Sequence, residues 1–240
     1  MAIPRRVRPE ALDSLAADAP EAMRSRRDLE RINRVMGARR IVAGALLAAP
    51  LTSAPRRLTE LGAGDGTLML RIARTLAARW PGVDVTLLDR QRLVDADTLA
   101  GFRALGWTAR METADVLEWT ARRAGDDCDV IVANLFVHHF DDGPLAGLLA
   151  AIAARTRIFC ACEPRRERLP LVGSRLVGCL GANAVTRADA VLSVHAGFRG
   201  RELSVLWPQA DGRWTLTEYS AGLFSHCFVA VRERDPTHAD

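Results

Sequence analysis

The 240-residue sequence predicts an α/β fold, a mostly parallel sheet with helices on both faces and a C-terminal antiparallel β-hairpin. Three observations predict it. Strand-like stretches alternate with helix-like ones between residues 57 and 163. A glycine-rich turn joins the first such strand to its helix, and the tail over 213 to 234 alternates apolar and polar residues around Ala221 and Gly222. Strands separated by helices pair in parallel and are covered on both faces, whereas a short turn between alternating stretches gives a hairpin.

Residues 1 to 50 read as a helical preface. The first strand is "RLTELG" (57 to 62), followed by the helix "TLMLRIARTLAARW" (67 to 80). In that helix Leu68, Ile72, Leu76 and Trp80 recur every four residues while Arg71, Arg74 and Arg79 face elsewhere. "VDVTLLD" (83 to 89) and a helix through "DADTLAGFRAL" form the second unit, and "ARMETAD" (109 to 115) with a helix through "VLEWTARRA" the third. "CDVIVANLF" (128 to 136), the helix "GPLAGLLAAIAAR" (143 to 155) and the strand "RIFCACE" (157 to 163) complete the series. Residues 168 to 197 are an apolar, glycine-bearing helical insert, placed to roof a pocket beside the fifth strand. The core spans 56 to 164, and the whole chain, 1 to 240, reads as one domain, a size at which a single α/β core is ordinary.

Composition excludes several classes. With 49% apolar residues and few long polar runs, a largely disordered chain is ruled out. The net charge of +4 rests on arginine alone, and acidic residues interleave with it in "RSRRDLERINR" (24 to 34), so no basic stripe for nucleic acid emerges. The cysteines, Cys128, Cys160, Cys162, Cys179 and Cys227, form no CxxC pair, and their odd number and apolar settings point to buried thiols in a reducing cytoplasm. Cys160 and Cys162 fall on one face of a strand, but no second pair has ligand spacing. The start lacks an export-type apolar region, and the run "IVAGALLAAPL" (41 to 51) is too short to span a bilayer, so no stable membrane insertion is expected.

"ELGAGDGTL" (60 to 68) carries most of the functional information. Gly62, Gly64 and Gly66 bare the backbone, yet Asp65 stands where a dinucleotide's pyrophosphate would rest. A phosphate-cradling loop would continue with Lys and then Ser or Thr, whereas Thr67 and Leu68 follow here. A cationic ligand remains. The loop resembles the first motif of class I S-adenosylmethionine-dependent methyltransferases, and "NLFVHHF" (134 to 140) with the apolar insert resembles those of the small-molecule group that acts on quinones, phenols or polyketide-type metabolites.

That resemblance extends over about residues 56 to 164 and implies a Rossmann-like, seven-stranded sheet. Glu60 and the three glycines belong to its first motif, and Asp89 ends the second strand where a carboxylate accepts from ribose hydroxyls. Asp115 ends the third, where an acid accepts from the adenine amino group, with Val116 behind it; Asn134 ends the fourth in "ANLFVHHF". Asp89 and Asp115 have an alternative as helix caps. His138 and His139 are the candidate bases for an acceptor that must lose a proton, with packing as their alternative. The expected cofactor is S-adenosylmethionine, the partner a small, mostly apolar acceptor, and no metal is inferred. A nucleic-acid methyltransferase is disfavoured because "NLFVHHF" lacks the aromatic and proline of the amino-methylating motif. A non-catalytic cofactor-binding module is the third reading.

Overall fold

The computed structural model describes residues 3–51, 53–121, 128–208 and 213–233. The preface holds α1 (Ala11–Ser14), α2 (Pro20–Met36) and α3 (Ala38–Ala48). Then come β1 (Arg57–Leu61), α4 (Thr67–Leu76), β2 (Asp84–Asp89), α5 (Ala96–Ala104), β3 (Thr108–Thr113), α6 (Val116–Ala121), β4 (Cys128–Asn134), α7 (Asp142–Ala153) and β5 (Thr156–Pro164). The insert comprises α8 (Arg168–Arg175), a 3-10 segment (Val177–Leu180) and α9 (Ala184–Ala196); α10 (Glu202–Leu206) leads to β6 (Trp214–Ala221) and β7 (Ser225–Arg232).

Differences from the sequence reading lie at element ends. α4 stops at Leu76 rather than Trp80. Pro81 disfavours helical geometry in the residue before it, and Trp80 is nevertheless buried through a turn. The third strand ends at Thr113, which leaves Asp115 at the start of α6. The expected helix through "VLEWTARRA" is described only to Ala121, and its remainder lies outside the described residues.

The strands order as β3-β2-β1-β4-β5-β7-β6. β1 to β5 pair in parallel, β7 runs antiparallel to β5, and β6 antiparallel to β7. Because each strand alternates its side chains, β4 sends Val130 and Val132 into one core and Ile131 and Ala133 into the other. The first core is closed by apolar faces of α3, α4 and α5, the second by those of α6, α7 and α10. Cys160 and Cys162 do share a face, joined there by Cys227. All three are free thiols, and burial pushes Cys162 upward, so it stays protonated and inert. Among the described residues no helix is long and apolar enough to cross a membrane.

The strand order reverses between β1 and β4. Neighbouring connections diverge there to opposite faces of the sheet, which opens a crevice at the carboxyl ends of these two strands. The glycine run and the histidine pair both leave the sheet at that crevice.

Candidate active site

The loop after β1 is shaped by three left-handed glycines. A side chain on Gly62, at φ 67°, would lie 2.3 Å from Cδ2 of Phe136, and one on Gly66, at φ 73°, would lie 2.8 Å from Cδ1 of Leu87. Those glycines allow close packing. Gly64 differs, because nothing stands within 4 Å of the side chain it lacks. Asp65 accepts from the amide and the hydroxyl of Thr67, at 3.0 and 2.7 Å, so a carboxylate of the chain itself already occupies the N-terminus of α4. An external phosphate would meet that charge.

Two further acids stand under and beside the loop. Asp89 accepts from Gly64 N–H through Oδ2 and from Gln91 N–H through Oδ1, both at 2.9 Å, which ties the loop to the end of β2. Glu60 is buried with Oε2 unpartnered. Burial, then the charges of Asp65 and Asp89, push its carboxyl well above the ordinary range. Asp115 accepts from Leu117 N–H at 2.8 Å, the helix-cap geometry that the sequence left open.

β4 ends in a sharp change of direction. Leu135 has φ 51°, a left-handed conformation that costs a branched side chain free energy and is held by the Leu135 amide bonding to Cys162 O at 3.0 Å. The bend lays Phe136 over Gly62 and starts the 3-10 turn Val137–His139. Glu163, fully buried at the end of β5, organises that turn. Its Oε1 accepts from the amides of Phe136 and Val137 at 3.0 and 3.1 Å, and its Oε2 lies 2.6 Å from His138 Nδ1.

The N-terminal segment closes the cluster from above. Glu10 approaches His138 Nε2 at 3.4 Å and accepts from the Ser193 hydroxyl, while Asp13 pairs with His139 Nδ1 at 3.2 Å. Arg5 reaches the carbonyls of Phe140 and His138, and the amides of Ala11 and Leu12 donate to Asp189 of α9. Burial alone would lower the His138 pKa, but hydrogen bonds and charge from Glu10 and Glu163 outweigh it and raise it to about 9. The same exchange holds Glu10 below the usual carboxylate range despite its burial. Ligand-type atoms of Glu10, His138 and His139 lie within 4.8 Å of one another, a spacing open to a cation, although each imidazole already faces carboxylates.

Gly62, Gly64, Asp89, Asp115, Val116, His138 and His139 all line one cavity of about 630 Å³, together with Glu10 and Asp13. Glu60 is buried and does not line it, and Gly66 is turned into packing against Leu87. Asn134 does not line it: its Nδ2 donates to Asn33 of α2 at 3.0 Å and its Oδ1 is unpartnered. A second, apolar cavity of about 320 Å³ adjoins the first and shares Glu10, Leu12, Leu29, Leu135 and Ser193 with it. The insert forms one wall of this cavity through Pro170, Leu176 and Val177, and α2 and Phe224 of the hairpin turn form the others.

Sequence reasoning missed Glu10, Ser193 and Glu163. Glu163 carried a usable signal, since it ends the fifth predicted strand and strand ends in open α/β sheets carry ligands. Glu10 and Ser193 carried none. His226 of β7 pairs with Glu218 at 2.7 Å in a buried contact.

The solved plantazolicin methyltransferase BpumL, in complex with SAH, matches this chain with a TM-score of 0.64 and 14% identity, over 90% of this chain and 92% of that one. The mitomycin 7-O-methyltransferase MmcR matches with a TM-score of 0.57 and 22% identity over 93% of this chain, which spans 60% of that protein's length. Magnesium protoporphyrin IX methyltransferase ChlM from Synechocystis PCC 6803, with bound SAH, gives 0.55 and 14% over 90% and 96% of the two chains. No protein-family model and no curated protein matches the sequence. The chain has the fold of these methyltransferases, with its mostly parallel seven-stranded sheet and antiparallel closing hairpin.

Proposed function

We propose that this protein transfers a methyl group from S-adenosylmethionine to an oxygen or carbon of a small, largely apolar acceptor of phenol, quinone or polyketide type. One observation carries the proposal: the glycine loop and the acids of β2 and β3 share a cavity with a buried His138–Glu163 pair, next to a second, apolar cavity. The chain's residues suit the cofactor. Gly64 leaves room for close approach, Glu60 offers an unpartnered buried carboxyl oxygen, and Asp65 closes the helix terminus to phosphates. Each Asp89 oxygen accepts one amide and keeps a lone pair for a ribose hydroxyl. Asp115 and Val116 would flank the adenine. When bound, the cofactor would supply a methyl group whose carbon bonds to the nucleophilic acceptor atom as its bond to the sulfonium sulfur breaks and S-adenosylhomocysteine leaves.

His138 takes the acceptor proton through Nε2, while Glu163 fixes the ring and stabilises the imidazolium. This favours a hydroxyl acceptor over carbon. The apolar cavity holds the acceptor body, and its size and lining favour a small molecule over a nucleic acid. No metal enters this reading, because Glu10, Glu163 and Asp13 already balance the two imidazoles. Turnover should accordingly be unchanged after exhaustive chelation, and a loss restored by one added divalent ion would put a metal at Glu10, His138 and His139.

The direct test is transfer of isotope-labelled methyl to a compound in metabolite extracts, read by mass spectrometry. Cofactor binding without any labelled product would favour a non-catalytic module. Calorimetry should show binding of S-adenosylmethionine and S-adenosylhomocysteine, with far weaker NAD and ATP. Asp89→Ala should weaken cofactor binding by about 1.5 to 3 kcal/mol, the scale of hydrogen bonds to a charged acceptor. Unchanged affinity would leave Asp89 only its loop-tying role.

A further inference from the structure

A short helix in a water-soluble protein ordinarily turns its apolar stripe inward. α8 does not. Pro170 and Ser174 are buried, but Leu169, Val172 and Leu176, spaced by three and four residues along one ridge, face outward at 50%, 51% and 56% exposure. Leu180 of the following 3-10 segment, Val35 of α2 and Leu223 of the hairpin turn are exposed as well. These six are most of the large apolar side chains left exposed among the described residues, and they gather at one place. Val35, Leu176 and Leu180 also line the apolar cavity, and Gly173 of α8 packs against Phe224 of the hairpin turn, so the ridge surrounds the cavity's mouth.

The exposed charge on this ridge is mostly basic, although Glu10 and Asp189 line the cavity within it. From Arg165 to Arg187 the sequence holds five arginines and a single acid, Glu167; Arg165 pairs with that acid and Arg166 is buried against Glu202, which leaves Arg168, Arg175 and Arg187. Arg168 and Arg175 bracket α8, and both are exposed, as are Arg187 beside the 3-10 segment and Arg34, the neighbour of Val35 on α2. A second copy of the chain docking through the same face would set arginines against arginines. An anionic surface with an apolar interior matches both features, since the arginines meet headgroups while the leucines and valine sink to the acyl boundary.

We infer that this face docks on an anionic lipid bilayer and that the apolar acceptor enters its cavity from that bilayer. Docking stands independently of the methyl-transfer reading; only the acceptor's entry rests on it. Full-length protein should co-sediment with vesicles containing phosphatidylglycerol at least about tenfold better than with phosphatidylcholine vesicles, and lose that advantage in high salt. The measurement needs neither cofactor nor acceptor, so failure of the methyl-transfer reading would not disturb it. Replacing Leu169, Val172 and Leu223 by Glu, none of which lines the cavity, should lower vesicle binding by about tenfold or more while circular dichroism and cofactor binding are kept. Arg168→Glu with Arg175→Glu should remove the preference for anionic vesicles. Failure of the wild type to sediment with anionic vesicles, or sedimentation of the triple variant like the wild type, would overturn the inference. Self-association in analytical ultracentrifugation that the triple variant abolishes would also overturn it, assigning the face to a second copy.

Discussion

His138→Ala lowers kcat by about 10² to 10⁴ on a hydroxyl acceptor while calorimetric affinity for S-adenosylmethionine stays within about twofold, the range and pattern expected for loss of a general base. The reason is positional. Nδ1 is committed to Glu163 at 2.6 Å, which leaves Nε2 to meet an acceptor at the junction of the two cavities, where Glu10 also stands. His138→Gln offers an amide toward Glu163 without a titratable base, so it should lose activity like alanine while keeping more stability. The wild-type pH profile adds a second check. A group with a pKa of about 9 holds its proton at neutral pH, and the base must be unprotonated, so kcat/KM should rise as pH approaches about 9 and level above it. Glu10→Gln removes one of the two charges that raise His138, so its profile should level at lower pH. A rate independent of both His138 and pH would assign the pair to packing and move the acceptor to carbon.

Glu163→Ala is the variant with the largest expected loss of stability, about 3 to 5 kcal/mol in denaturant unfolding, as for removal of one partner of a buried charged pair. Two buried amides, Phe136 and Val137, would lose their acceptor together with the His138 ring. The strained Leu135 bend would keep its bond to Cys162 O but lose the anchored turn that follows it. Glu163→Gln keeps an oxygen for those amides and should recover most of the stability but little of the turnover. In the wild type, the stability that His138 contributes is fully present below its unfolded pKa of about 6.5 and lost as pH rises through about 9. A Glu163→Ala protein as stable as the wild type would show that this network contributes nothing to the fold.

The fold was legible in the sequence because its signals are local. The spacing of Ile72 and Leu76 fixes a helix face, the alternation of Val130 with Ile131 fixes two buried strand faces, and glycines at 62, 64 and 66 supply the left-handed turn. Strand order was not legible, since the reversal between β1 and β4 is a choice among packings rather than a property of either segment. Of the residues expected around the ligand, Gly62, Gly64, Asp89, Asp115 and Val116 leave strand ends and meet in one cavity, as strand-end positions do in open sheets. Asn134 also ends a strand, yet turns to Asn33, because the direction of a side chain at a bend is set by what packs there.

What the sequence by itself determined, then, is the parallel core, the acid-flanked loop and the position of the histidine pair at the end of β4. What only the tertiary structure decided is what surrounds those histidines. Glu163 reaches His138 across 25 residues of chain, Glu10 across 128, and Ser193 meets Glu10 across 183. No periodicity or spacing records such meetings: Glu163 comes beside His138 because β5 pairs with β4, and Glu10 and Ser193 come there because the preface and the insert fold over the crevice. The carboxylates of Glu10 and Glu163 lift the pKa of His138 to about 9 and give an otherwise ordinary histidine its place in the proposed chemistry.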